Sequence, residues 1–135
     1  MGEDAQKRRE HIAGALATLK KRASDPNIGR ISEAATKSLL IEPLVRAMGF
    51  EGLADIEWEY FVKASNEHID YVLKVDGRPT IAVEAKPFGT ELAEKHAAQL
   101  VQYEGIEWCL LTNGRHLRIY NAGLKGDLAA KHLVH

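Results

Sequence analysis

Two β-rich runs, His68–Val75 and Thr80–Lys86, flank Asp76-Gly77-Arg78 and read as one hairpin. A hairpin fixes which residues face each other, and a slip of one position turns every side chain to the other face. Here the constraint falls on two acids. Asp70 and Glu84 face each other if the turn centres on Gly77. That requires a three-residue loop, or a two-residue turn corrected by a bulge. A plain two-residue Asp76-Gly77 turn, the commoner loop, puts them on opposite faces. Val72, Leu73, Ile81, Ala82 and Val83 make the hairpin apolar on both faces, as in a central strand pair. Charged groups placed there are costly unless paired or bound to metal.

Two converging carboxylates can hold a divalent cation. Mg²⁺ prefers near-octahedral oxygen ligands and keeps several waters. Asp70, Glu84 and the backbone carbonyl of Ala85 supply protein oxygens, leaving the remaining positions to water and a substrate phosphate. Lys86 lies two residues beyond Glu84 and so points to the same side of the strand, while Ile81, Val83 and Ala85 pack into the other layer. Its ammonium is placed to orient or deprotonate a water and to offset charge in the transition state. The expectation is phosphodiester hydrolysis with Mg²⁺ or Mn²⁺. The bland alternative is an acid pair that repels in solvent or pairs with lysine.

At 135 residues the chain makes one domain with a real core, and 45% hydrophobic and 27% charged residues are ordinary for a globular protein. The single cysteine, Cys109, forms no internal disulfide, and no secretory signal or membrane-spanning stretch is evident, so a cytoplasmic setting without membrane partners is expected. Net charge is −1, but its distribution is uneven. Lys7, Arg8, Arg9, Lys20, Lys21, Arg22 and Arg30 make the first segment basic, while residues 51–70 are acidic. A basic rim around a metal site suits DNA; a solvated amphipathic helix explains the same charges.

The periodicity predicts a helix over residues 6–22, broken by Asp25-Pro26-Asn27. Ser32 is placed to cap a second helix, Glu33 to Met48, with Leu40, Leu44 and Met48 on one stripe beside Ile41 and Val45, and with Pro43 kinking or splitting it. Ile56, Trp58, Tyr60 and Val62 alternate as a half-buried strand. A third helix spans Thr90 to Glu104, strands cover Glu107–Thr112 and His116–Asn121 around Asn113-Gly114, and residues 122–135 suggest a short terminal helix. The order is α-α-β-β-β-α-β-β. The crossover helix makes one strand pair parallel, giving an α/β fold with a mixed sheet flanked by helices. Residues 1–30 form a basic helix and linker, 31–121 the core, and 122–135 a C-terminal segment.

Gln99 falls on the inner stripe of the third helix with Leu92, His96 and Tyr103, either as a boundary residue or as a polar group aimed at the site. Glu33 either favours the positive end of its helix or approaches the metal and its water shell. His68 reads as a strand-surface residue and His96 as a weak site candidate. No Cys/His cluster has zinc spacing, and no glycine-rich phosphate loop is present.

Together these residues resemble the PD-(D/E)xK nuclease superfamily, with Ile69 in place of its proline. Gln99-Leu100-Val101-Gln102-Tyr103 resembles the QxxxY motif of the RecB-like branch. The set Thr36, Leu44, Met48-Gly49-Phe50, His68 to Leu73, Val83 to Pro87 and Trp108 to Gly114 running into Ile119-Tyr120 is similar to the N-terminal nuclease domain of type I restriction enzyme restriction subunits. The resemblance implies a restriction-endonuclease-like fold and catalytic roles for Asp70, Glu84, Lys86, Gln99 and Tyr103, with Glu33 as a first-helix acid. It also implies 5′-phosphate and 3′-hydroxyl products. Those subunits carry motor domains that this sequence lacks, so the expectation is a stand-alone DNA nuclease, with homodimerisation for double-strand cleavage, or a component that works with motor or specificity partners.

Overall fold

The computed structural model describes residues 2–63, 65–98, 105–124 and 132–134. α1 (Gly2–Ala23) leads through a short 3₁₀ turn, Ile28–Arg30, to a second helical stretch. That stretch is α2 (Glu33–Thr36), a π-helical segment (Lys37–Ile41) and α3 (Glu42–Ala47). A single turn, α4 (Gly52–Asp55), precedes β1 (Ile56–Val62), β2 (Glu67–Val75) and β3 (Arg78–Ala85). The short α5 (Glu94–Ala97), β4 (Trp108–Thr112), β5 (Leu117–Asn121) and β6 (His132–Val134) complete the described chain. Strands β1 to β5 make a five-stranded mixed sheet in sequential order, and β6 adds to its β5 edge. β3 and β4 are parallel and every other neighbouring pair is antiparallel.

The β2–β3 turn is the two-residue turn corrected by a bulge. Asp76 (φ 52°) and Gly77 (φ 76°) both take left-handed conformations, as a type I′ turn requires. Next to the turn Lys74 pairs with Pro79, but Leu73 pairs with Ile81, so Thr80 is an extra residue in β3. Pro79 has no N–H for the ladder and sits beside this bulge, where strand prolines are tolerated. From Ile81 onward the register carries Glu84 opposite Asp70.

Pro43 explains the widened turn before it. Lacking an N–H, it cannot bond to the carbonyl four residues back, Leu39. The Arg22 guanidinium of α1 donates to that carbonyl at 2.7 Å, and the Glu42 N–H reaches back to Lys37. The widening changes which residues are buried. Leu40, Ile41 and Val45 are buried, whereas Met48, expected on the inner stripe, is 40% exposed. Fully burying an Ile or Val contributes about 1.5–3 kcal/mol, so Ile41 and Val45 anchor the helical stretch to the sheet.

Two core clusters lie on opposite faces of the sheet. Tyr71, Leu73, Val83, Ala85 and Leu110 pack with Ile41 and Val45 on one face. Val72, Ala82, Cys109 and Leu111 pack with Leu92 and Ala97 on the other. β1 does not keep to one face as its alternation predicts. Ile56 and Trp58 join the first cluster, but Tyr60 and Val62 pack against the second, and the change occurs at Glu59, a non-glycine residue with φ 50°.

Other expectations are corrected. α1 is longer than residues 6–22 and has no fully buried residue. Ser32 does cap α2, accepting from the Ala35 N–H at 3.0 Å. Residues 90–93 are not helical, and α5 begins only at Glu94. The expected terminal helix is not found where the chain is described: 132–134 pair as a strand with β5.

Candidate active site

Four elements converge on one acidic centre. β2 carries Asp70, β3 ends in Glu84 and Ala85 just before Lys86, the helical stretch brings Glu33 and Lys37, and β1 brings Glu59. Asp70 Oδ1 accepts from the Lys37 ammonium at 2.7 Å, and Asp70 Oδ2 accepts from the Ala85 N–H at 2.8 Å. The Asp70 and Glu84 carboxyl groups lie close enough that each shifts the other's ionisation. Glu33 and Glu59 stand 3.7 and 3.8 Å from the same ammonium. Lys37 Nζ also lies 5.9 Å from the centroid of the Tyr71 ring.

Two neighbouring carboxyl groups push the pKa of one of them up, because like charges at close range repel. Burial pushes Glu84 up, the hydrogen bond and charge of Asp70 push it further, and Lys86 opposes them only in part, so Glu84 is raised to about 9. Asp70 takes the charge. Burial alone would raise it, but hydrogen bonds from Glu84, Lys37 and the Ala85 N–H, with the Lys37 charge, bring it below the usual carboxylate range. Burial likewise lowers Lys37, and the bond and charge of Asp70, with Glu33 and Glu59, outweigh it and leave it raised.

The backbone is shaped around this centre. Glu59 takes its left-handed conformation in mid-strand, at a cost of about 1–2 kcal/mol for an L-residue. Strain of this kind concentrates at functional sites. The β1–β2 register places Glu59 opposite Asp70. Thr36, fully buried, ties the helix to the segment after β3: its hydroxyl donates to the Ser32 carbonyl at 2.8 Å and accepts from the Phe88 N–H at 3.0 Å. Lys86 is held between these anchors, and its own N–H bonds to the Thr112 carbonyl at 2.9 Å.

Asp70 and Glu84, chosen from sequence, are thus set opposite each other, and Lys86 lies near enough for its charge to be felt at Glu84. The Ala85 N–H is turned toward Asp70, and a strand residue's carbonyl leaves on the same side as its N–H, so the Ala85 carbonyl faces the site. Glu33 reaches the centre through Lys37. His96 lies where Lys86 and Arg118 are felt: burial first, then these charges and Lys95, lower its basicity, and its Nδ1 accepts the Ala93 N–H at 3.1 Å. His68 is exposed against the Phe61 ring, 5.1 Å between centroids. Gln99 and Tyr103 lie outside the described residues. Of the basic residues, Arg22 is engaged with Leu39, whereas Lys7 and Arg8 line an open cleft of about 550 Å³ with His11 and Arg46. Arg9, Lys20, Lys21 and Arg30 are exposed.

Lys37 and Glu59 were not singled out from sequence. Glu59 had a legible signal, because the facing-residue rule applied to β1 and β2 places it opposite Asp70. Lys37 had less, since its direction depends on the π-helical turn ahead of Pro43.

The donor set fits a hard divalent cation. An ionised carboxylate offers about four lone-pair sites; Lys37 and the Ala85 N–H draw on two of those of Asp70, and the protonated Glu84 on a third. The proton between Asp70 and Glu84 is the group a cation would replace. Among the described residues no three Asp, Glu, His or Cys side chains form a ready-made cage, so such a site relies on two carboxylates, a carbonyl, water and substrate. No family model, curated protein or solved structure matches this chain. No helix among the described residues is long and apolar enough to cross a membrane.

Proposed function

We propose that the chain is a Mg²⁺- or Mn²⁺-dependent DNA nuclease with a restriction-endonuclease-like core. The observation that carries the reading is the register that sets Asp70 opposite Glu84, built by a bulge between two central strands, with Lys86 two residues beyond Glu84 in the sequence. The motif order in the sequence supports the same reading.

In this account Asp70, Glu84 and the Ala85 carbonyl hold the cation. When bound, it polarises the scissile phosphate and makes an attacking water more acidic. Lys86 donates to the phosphate or the water and offsets charge that grows in the transition state. Lys37 and the Ala85 N–H keep Asp70 aimed. Gln99 and Tyr103 remain auxiliary candidates through the family motif. The exposed basic residues of α1 and Arg30 supply contacts to the DNA backbone. Homodimerisation, motor or specificity partners and a cytoplasmic setting belong to the same proposal; a single buried cysteine, Cys109, suits a reducing compartment.

A second reading is a nucleic-acid-binding or assembly module that keeps the fold without turnover. The Lys37–Asp70 pair favours it, because the acid is already neutralised by the protein itself. The two readings separate in an assay of linear single- and double-stranded DNA with Mg²⁺, Mn²⁺ or EDTA. The nuclease cuts only with metal. The module binds DNA in a salt-dependent way and leaves it intact.

A further inference from the structure

Lys37 is held within a ring of three carboxylates. Its side chain is 18% exposed and that of Asp70 12%, whereas Glu33 and Glu59 are 42% and 64% exposed. It stands in a cavity of about 300 Å³ lined by Glu33, Glu42, Trp58, Glu59, Asp70 and Tyr71. Of the acids there, Glu42 is engaged elsewhere, accepting the Trp58 indole N–H at 2.7 Å. The other three surround the ammonium.

We propose that Lys37 is a positioning residue whose ammonium fills the cation place between Asp70, Glu33 and Glu59, so that the site admits a single divalent cation, on the Glu84 side of Asp70. The proposal rests on the metal-dependent reading above. Three acids at 2.7, 3.7 and 3.8 Å from one nitrogen are the surroundings a second cation would need. A second cation entering there would meet the ammonium at close range on the same Asp70 oxygen, in a partly desolvated setting where like charges repel strongly. The strained backbone of Glu59 places a carboxylate at this point rather than leaving an ordinary edge-strand residue. The standing-off of Glu33 and Glu59, whose side chains are 42% and 64% exposed, agrees with the lack of a ready-made three-acid cage among the described residues.

The test counts Mn²⁺ bound per full-length chain by calorimetric titration, with folding checked by circular dichroism. Wild type and Lys37→Arg are expected to bind one ion. Lys37→Met and Lys37→Gln are expected to bind two, and adding Glu59→Gln returns the count to one. A purely structural lysine would change the melting temperature without changing the count. One ion in folded Lys37→Met and Lys37→Gln overturns the proposal and leaves the metal-dependent reading standing. Two ions in wild type also overturn it, and this decides even where neither neutral variant folds; one ion in both wild type and Lys37→Arg then supports it. No ion in wild type overturns both the proposal and the metal-dependent reading.

Discussion

Asp70 and Glu84 face each other across the β2–β3 hairpin, and they meet because Thr80 is an extra residue in β3. With the turn register continued unbroken, Glu84 would lie on the other face of the strand, and Val83 and Ala85 would leave their cluster with Tyr71 and Leu73 for the opposite face. The bulge therefore serves packing and chemistry at once.

Stability without metal should fall as the solution becomes alkaline. Glu84 has its folded pKa raised from 4.5 to about 9. The stabilisation from its protonated form is complete below the ordinary carboxylate value and is lost as pH rises through about 9. Asp70 has the opposite sign: its contribution is present above the ordinary value of 3.8 and is lost as the solution becomes more acid. Urea unfolding in EDTA from pH 5 to pH 10 should show the alkaline decline in wild type and a flatter profile in Glu84→Gln.

Cation binding should expel the shared proton. At pH 7 Glu84 is protonated in the metal-free protein, and a cation between the carboxylates requires it to ionise. Titration with Mn²⁺ in two buffers of different ionisation enthalpy should report about one proton released per ion, falling toward zero near pH 10. Glu84→Gln should release none.

Thr36→Val should loosen the link between helix and site. The substitution removes the hydroxyl that the Phe88 N–H donates to, in a buried setting. Leaving that donor unpaired costs about 1–3 kcal/mol. Chemical denaturation should show a loss of that size, and turnover should fall even at saturating metal because the segment carrying Lys86 is no longer held.

Much of this site was legible because a hairpin is local. Asp70, Glu84 and Lys86 follow from turn chemistry and the period-two geometry of strands, and the same logic allowed the bulge as one of two solutions. The parallel β3–β4 pair follows from the crossover between them. Features that depend on contacts between distant segments were harder to read. Pro43 marked a disturbed helix, but the donor that satisfies the Leu39 carbonyl, Arg22, comes from another element. That widened turn changes the buried face and sets where Lys37 points. The switch of faces in β1 depends on the left-handed Glu59, which alternation of apolar residues does not encode. The terminal strand 132–134 takes its partner from β5, so its local sequence alone did not announce it.

The most direct measurement is cleavage of supercoiled plasmid by purified wild type, Asp70→Ala and Lys86→Ala, each in Mg²⁺, Mn²⁺ and EDTA, with Mn²⁺ binding measured on the same samples. The account predicts metal-dependent nicking by wild type. Lys86→Ala should bind Mn²⁺ and lose at least about 100-fold in rate, the scale expected of a positioned acid–base or electrostatic group. Asp70→Ala should lose both binding and cutting. A folded wild type that binds Mn²⁺ and leaves the plasmid intact, or equal cutting by all three proteins, would contradict it.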